Sequence, residues 1–355
     1  MPAITVKPDF ARFKDVLLLK RVCKRPPLFD FHVAVQHKQA ILGRPIQTAA
    51  DDVAFWEQAG YDYVHAPIYL PVPELRQAME AEKLSSGSST TGSCRQIISD
   101  LGAYRSRMWA WQQLAEGDRS LVQENLDYLK RQAEALPDGM KLIFHVADIF
   151  TYAWEMIGFN NLCYASLDDP EFVGCVINDL GMACRQLVEI SLEALGDAVG
   201  SILYSDDIAY TEGLMLGPDF FREHLFGHIA AIVELGRRID VPLIYHSDGK
   251  LYDVFDDLAR IGVRGIQPLE PKSMDPLKIK TDWPGRFCLI GNIDLDLMAT
   301  GSPEDVAAHV REKIDRLNQG GGYIVGVSNT VPHYVRLENY LTMIQTVYGY
   351  GNSDA

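Results

Sequence analysis

One unit recurs along this chain: a short β-branched or apolar run, a cluster of polar or turn residues, then a longer stretch with apolar residues at helical spacing. Eight such runs follow in order: PPLFDFH (26–32), YDYVHAP (61–67), KLIFHV (141–146), SILYSDD (201–207), PLIYHSD (242–248), GIQPLE (265–270), FCLIGNID (287–294) and GYIVGVSN (322–329). The stretches 218–238 and 303–319 between them carry apolar residues at i, i+3, i+4 and i+7. Alternating strands and helices imply a parallel sheet with right-handed crossovers, and eight repeats predict closure into a (β/α)₈ TIM barrel of the α/β class. A barrel of this kind takes up a whole chain of 355 residues as one domain, here with an N-terminal extension over 1–25.

Helix starts are legible. Ser302-Pro303-Glu304-Asp305 sets a capping serine before a proline at the first helical position and acids in the first turn, and Asp169-Pro170-Glu171 repeats the arrangement. The stretch 68–140 is too long for one crossover and reads as a mobile insertion. Within it, LSSGSSTTGS (84–93) has almost no side chain to pack; a lid over the barrel mouth and an idle surface insertion fit it equally.

Bulk properties exclude several classes. A formal charge of −15 without a basic run argues against a nucleic-acid partner. Six cysteines without CxxC spacing read as free thiols of a reducing compartment. The N-terminus lacks an export signal and no segment approaches a membrane span, so the expected location is the cytoplasm. GxGxxG after a strand, GxxxxGK[ST] and GxSxG are all missing, and Gly320-Gly321-Gly322 precedes a strand, where it acts as a helix terminator.

In such a barrel the chemistry collects at the C-terminal strand ends. Those positions hold Asp30 and His32, His65, His145, Asp206 and Asp207, His246 and Asp248, Glu270, Asn292 and Asp294, and Ser328 and Asn329. His246 and Asp248, two apart on a strand, point to one face, where they suit a divalent metal or an acid/base pair. A second reading has Asp248 capping the next helix and His246 hydrogen-bonded inside the funnel. Of the adjacent acids only one can face the axis; Asp207 is preferred, with Asp206 close behind. His65 and His145 sit on apolar strands, where a satisfied core histidine is the commoner outcome. Tyr152, Trp154, Tyr204, Tyr210, His333 and Tyr334 offer flat walls for a pocket, or core.

The segments DDIAYTEGLMLGPDFFREHL (206–225), YHSDG (245–249), LARIGVRGIQPLEP (258–271), IGNID (290–294), GSPED (301–305) and GGGYIVGVSN with VPHYVRLEN (320–339) resemble, in order, the uroporphyrinogen decarboxylase superfamily. The likeness runs over roughly 29–350 and includes HKQAILGRPIQTAADDVAFWEQAGYDYV (37–64). The true decarboxylases carry an Arg-rich segment near the N-terminus that grips porphyrinogen carboxylates; this chain has PLFDFHVAVQHK there. The resemblance therefore points to the other branch, the corrinoid-dependent methyltransferases, where a His-x-Cys pair and a later Cys hold zinc. The family histidine matches His246, while Asp248 and Asn329 stand at the cysteine positions, an oxygen-rich set suited to a harder substrate.

The resemblance implies a methyltransferase that demethylates a methoxylated aromatic or similar donor and passes the methyl group to a corrinoid protein. No D-x-H-x-x-G occurs here, so the corrinoid (cobalamin) must arrive on a separate polypeptide. His246 and Asp248 are the expected metal ligands, zinc first among the candidates, with Asp207 and Glu270 as further ligands or orienting bases. His145, Tyr204, Trp154, Asn329 and His333 are the expected substrate contacts. A cofactor-free carboxy-lyase is the alternative, and the oligomeric state is left open, a homodimer included.

Overall fold

A computed structural model describes residues 7–86 and 96–350. Seven parallel strands form one curled sheet in sequence order. They are β1 (Tyr63–Tyr69), β2 (Lys141–Ala147), β3 (Val199–Ser205), β4 (Leu243–His246), β5 (Gly265–Gln267), β6 (Cys288–Ile293) and β7 (Tyr323–Val327). Each grows from one of the runs identified above. β5 stops early because Pro268 has no N–H to continue the ladder.

The eighth run does not become a strand of the sheet, so the expectation of eight paired strands is corrected to seven in a half-barrel sheet. Residues 28–33 make two isolated bridges, Leu28 with Val325 in β7 and Val33 with Val331 beyond its end. The local chemistry explains the lapse. Pro26 and Pro27 supply no donors, and Asp30 replaces a backbone acceptor with its side chain: Val327 N–H donates to Asp30 Oδ1 at 3.0 Å. On the other side the link to β1 is also made by side chains. Tyr61 donates its hydroxyl proton to Asp30 Oδ2, while Tyr63 Oη accepts from Asp30 N at 2.8 Å and donates to Asp30 O at 2.6 Å. Tyr61 and Tyr340 join hydroxyls at 2.7 Å. Gly326 makes the close approach possible, since a Cβ there would stand 1.9 Å from Phe29 O.

Helix Phe10–Leu17 lies against the N-terminal strand ends. Phe10 N donates to Gly139 O at 2.8 Å before β2, Arg12 pairs with Asp62 at 2.7 Å before β1, and Lys14 pairs with Asp240 at 2.7 Å before β4. Phe13 packs on Phe29 and Tyr63. The amphipathic stretches become helices with the expected caps: Ser302 and Asp305 close a capping box at Pro303–Leu317, and Asp169 caps the 26-residue helix Pro170–Leu195. Between β1 and β2 the chain forms Pro73–Ser86, Leu101–Arg105, Ala110–Ala115 and Gln123–Glu134. The tract 84–93, read as a lid, lies outside the described residues from 87 onward. Among the described residues, no helix is long and apolar enough to cross a membrane.

Burial pushes the Asp30 carboxyl up to about 7, against the hydrogen bonds from Tyr61 and Val327 N. A raised acid favours folding while protonated, so its contribution is fully present below the unfolded value of 3.8 and is lost as pH rises through about 7. Asp30→Asn is expected to flatten that loss. Its stability relative to the parent, measured by denaturant unfolding, should grow between pH 5 and 8 by up to roughly 1.4 kcal/mol per pH unit; a pH-independent difference would refute the assignment.

Candidate active site

The site forms where β3, β4 and β5 end. Ser205 pairs in register with His246, and His246 with Gln267. Beyond the strand ends the chains stay stitched: Asp206 N donates to His246 O at 3.0 Å, and Ser247 N to Gln267 O at 3.1 Å. Gly249 turns the chain away with φ +86, so close to the 209–210 backbone that a Cβ would stand 2.5 Å from Tyr210 N. This accounts for the glycine in YHSDG.

Period two separates the two acids after β3. Asp206 is fully buried and accepts from the backbone N–H groups of Ile149 at 3.1 Å, Phe150 at 2.8 Å and Thr151 at 2.8 Å, and from the Tyr204 hydroxyl at 2.7 Å. It anchors the start of helix Phe150–Ile157. Asp207 turns the other way. Its Oδ1 accepts from Asp248 N at 2.8 Å and stands 3.9 Å from His246 Nε2. Asp248 Oδ1 lies 3.8 Å from the same nitrogen.

The buried His246 ring is oriented by Gln267, whose Oε1 meets Nδ1. An amide oxygen only accepts, so the proton of the neutral ring sits on Nδ1 and the Nε2 lone pair faces two carboxylates. Three electron-rich groups turned toward one point favour a proton or a cation between them. An extra ring proton is one answer. A divalent ion is the other: ligand atoms of Asp207, His246 and Asp248 all lie within 4.8 Å of one another, and two ligands about 2.1 Å from a tetrahedral ion stand roughly 3.4 Å apart. A small inward movement of the carboxylates completes that geometry, so the residues fit a divalent metal bound by one nitrogen and two oxygen ligands.

The other candidates distribute as follows. Asn329 donates to both oxygens of Asp248 at 2.9 Å, and its own Oδ1 accepts from Thr330 N at 2.8 Å, which sets the amide's direction. Glu270 Oε2 accepts from Gly249 N at 2.9 Å and Ser273 Oγ at 3.1 Å. Asp248 has its carboxyl pushed up to about 6 by burial, lowered by His246, raised by Asp207 and Glu270 and lowered by Asn329. A cleft of about 190 Å³ opens here, with Thr211, Glu270, Lys272, Asp294 and Asn329 among its walls.

His145 is buried, bonded through Nδ1 to His65 Nε2 and through Nε2 to Ser205 Oγ, both at 2.9 Å. Tyr204 and Trp154 are not brought to the opening: Tyr204 is buried on Tyr245, and Trp154 is buried against Phe159. His333 lies exposed with its ring against Tyr334. Three residues absent from the sequence-based set belong to the site. Gln267 was signalled by a polar residue inside an otherwise apolar run. Asp148, which accepts from Ser205 Oγ at 3.1 Å, follows β2 directly and emerges from the strand-end rule once β2 is extended to Ala147. Phe31 touches the rings of His65, His145 and His246 at centroid distances of 5.9, 5.7 and 4.6 Å; no local pattern marks it.

If Gln267 holds His246 in the ligating tautomer, Gln267→Leu should weaken divalent-metal binding by roughly 10–100-fold, as loss of an orienting partner does elsewhere. Zinc titration by calorimetry on the two proteins measures this; equal affinities would rule out the orienting role.

Comparison with known proteins places these features. Residues 105–350 match the family model described as uroporphyrinogen decarboxylase (URO-D). No curated protein sequence matches the chain. Among solved structures, a methyltransferase from Methanosarcina mazei is similar at TM-score 0.66 and 16% identity, over 97% of this chain and 99% of that one. A protein described as a vitamin-B12 independent methionine synthase from Listeria monocytogenes reaches TM-score 0.48 and 11% identity, over 92% and 98%. The first likeness is one of fold, and with the family match extending over most of the sequence, the chain belongs to the uroporphyrinogen decarboxylase family.

Proposed function

We propose that this chain is a methyltransferase that removes a methyl group from an oxygen of a small donor, such as a methoxylated aromatic, and delivers it to a corrinoid carried by a separate protein. The observation that carries the reading is the His246 Nε2 lone pair turned toward Asp207 and Asp248. An ether is a poor electrophile unless the departing oxygen is stabilised, and this arrangement is built to concentrate positive charge at one point. His246, Asp207 and Asp248 would hold a divalent ion, zinc first among the candidates, which when bound supplies a Lewis acid for that oxygen. The corrinoid, when bound, supplies the nucleophile.

The chain's own residues do the positioning. Asn329 fixes the Asp248 carboxylate through both oxygens, Gln267 fixes the imidazole, and Glu270 ties down the turn at Gly249. The charge pattern favours this reading over the carboxy-lyase of the same family. Glu270, Asp294 and Asp296 line the cleft, and the lysine among them, Lys272, is paired with Asp296 at 2.6 Å. A polycarboxylate would meet like charge there.

Methyl transfer from a methoxyarene to a corrinoid protein, followed by the visible spectrum of the corrinoid, tests the proposal. His246→Ala should lower the rate at least about 100-fold, and His246→Gln, which keeps more of the buried volume, should lower it as well while the protein remains folded by circular dichroism. Asp248→Cys should tighten zinc binding, thiolate being the stronger zinc ligand. Demethylation by the chain alone, or full activity of His246→Ala in a protein that binds no divalent metal, would sink the reading.

A further inference from the structure

We propose that His65, His145, Ser205 and Asp148 form a proton relay that ends beside the candidate site, with Asp148 as the acid that protonates the departing oxygen. The assignment of that last acceptor rests on the methyl-transfer reading; the relay itself does not.

The chain of contacts is continuous across the ends of three strands. His65 Nε2 meets His145 Nδ1 at 2.9 Å, His145 Nε2 meets Ser205 Oγ at 2.9 Å, and Ser205 Oγ meets Asp148 Oδ1 at 3.1 Å. His65, His145 and Ser205 are buried, so no solvent competes for these bonds; Asp148 is half-buried. Hydrogen-bond inventory then restricts the protons. With Asp148 ionised, Ser205 must donate to it, His145 must donate to Ser205 from Nε2, and His65 must donate to His145 from Nε2. With Asp148 protonated and donating to Ser205, every direction reverses: Ser205 donates to Nε2 of His145, and His145 donates from Nδ1 to His65. Each arrangement satisfies all three bonds, and mixed arrangements leave a buried clash of two donors or two acceptors. The tautomer of His145 is thus coupled to the protonation of a carboxyl two bonds away.

The surroundings suit this use. Burial, then the charges of His246 and His32, holds His145 down to about 3, so it passes protons as a neutral ring. His65 is likewise held well below the ordinary imidazole value by burial, His145, Lys38 and His32. The Asp148 carboxyl is pushed well up by burial and by Asp206 and Asp207, against the Ser205 hydrogen bond, with Glu155 adding to the rise. Tyr69 and Tyr152 face it from β1 and from helix Phe150–Ile157, and Arg76 is the cation that acts on both tyrosines. These surroundings favour the protonated form of the Asp148 carboxyl over the ionised one.

The balance closes. The methyl carbon–oxygen bond of the donor breaks as the carbon bonds to the partner's corrinoid, the electron pair stays on oxygen, and Asp148 gives that oxygen its proton. Restoring the ionised arrangement then takes a rotation of the Ser205 hydroxyl toward Asp148 and, at each imidazole, release of the Nδ1 proton to water and uptake of one at Nε2 from water, an exchange that leaves the proton count unchanged. A solvent proton enters at His65 Nδ1, on a ring within electrostatic reach of the exposed His32. Three protons then each move one position and Asp148 is reloaded.

Two-bond ¹H–¹⁵N correlation spectra of histidine-labelled protein between pH 5 and 9 test the relay without any substrate. His145 should remain neutral throughout while its proton moves from Nδ1 to Nε2 as Asp148 ionises, and both Ser205→Ala and Asp148→Ala should abolish the change. A constant tautomer in the parent protein, or a change that survives either variant, overturns the relay. In the transfer assay Asp148→Asn should lower kcat by roughly 10²–10⁴-fold and remove the alkaline limb of the pH profile with KM unaltered; loss of KM alone would leave Asp148 a binding residue and overturn its role as acid. If no methyl transfer occurs with any donor, the spectra still decide the relay, so the two failures are distinguishable.

Discussion

The Asp30 carboxyl holds together what the backbone leaves open. Seven strands ladder in order, but among the described residues the segment that should complete the ring makes one isolated bridge to β7, one to Val331 beyond it, and none to β1. Asp30 spans the gap, accepting from Val327 N on one side and from Tyr61 on the other, while its own backbone exchanges two hydrogen bonds with Tyr63. A buried carboxyl with this many donors costs little in hydrogen bonding, yet it remains expensive to ionise. The arrangement therefore ties the seam to the protonation of one side chain.

That seam also shapes the active mouth. Phe31 follows Asp30 immediately, and its ring stands against His65, His145 and His246. The edge-on contacts exclude water from one side of all three imidazoles, which is why burial dominates the behaviour of His65 and His145.

Much of this was legible from the sequence because strand ends obey simple rules. Seven of the runs became strands within a few residues of their expected limits, since alternation and turn residues act locally. The eighth was misjudged because its pairing is decided by prolines and by a side chain acting in place of a carbonyl, which hydrophobic pattern does not encode. Parity explains the mixed result at the site. Period two places Asp207 with Ser205 on the axial face and Tyr204 with Asp206 on the other, so Tyr204 and Asp207 could not both face the opening. Trp154 sits on a helix whose orientation depends on Asp206 from a distant strand, a contact between residues more than 50 positions apart that no local window contains.

On the proposed reading, oxygen ligands standing where the family carries thiolates change what the site must solve. Two thiolates and an imidazole would form a soft metal site with its own strong affinity. Here Asp207 and Asp248 crowd together with Glu270 nearby, and each carboxylate is restrained by a different partner: Asp207 by a backbone N–H, Asp248 by Asn329, Glu270 by Gly249 N and Ser273. These neutral donors fix position without cancelling charge, so the repulsion from Asp207 and Glu270 adds to burial, the main cause, in raising the Asp248 carboxyl to about 6. On the proposed reading, a cation bound there would relieve this crowding, and oxygen ligands would hold it less firmly than thiolates. Weaker retention would leave more Lewis acidity for an oxygen of the substrate, the property that the proposed ether donor needs.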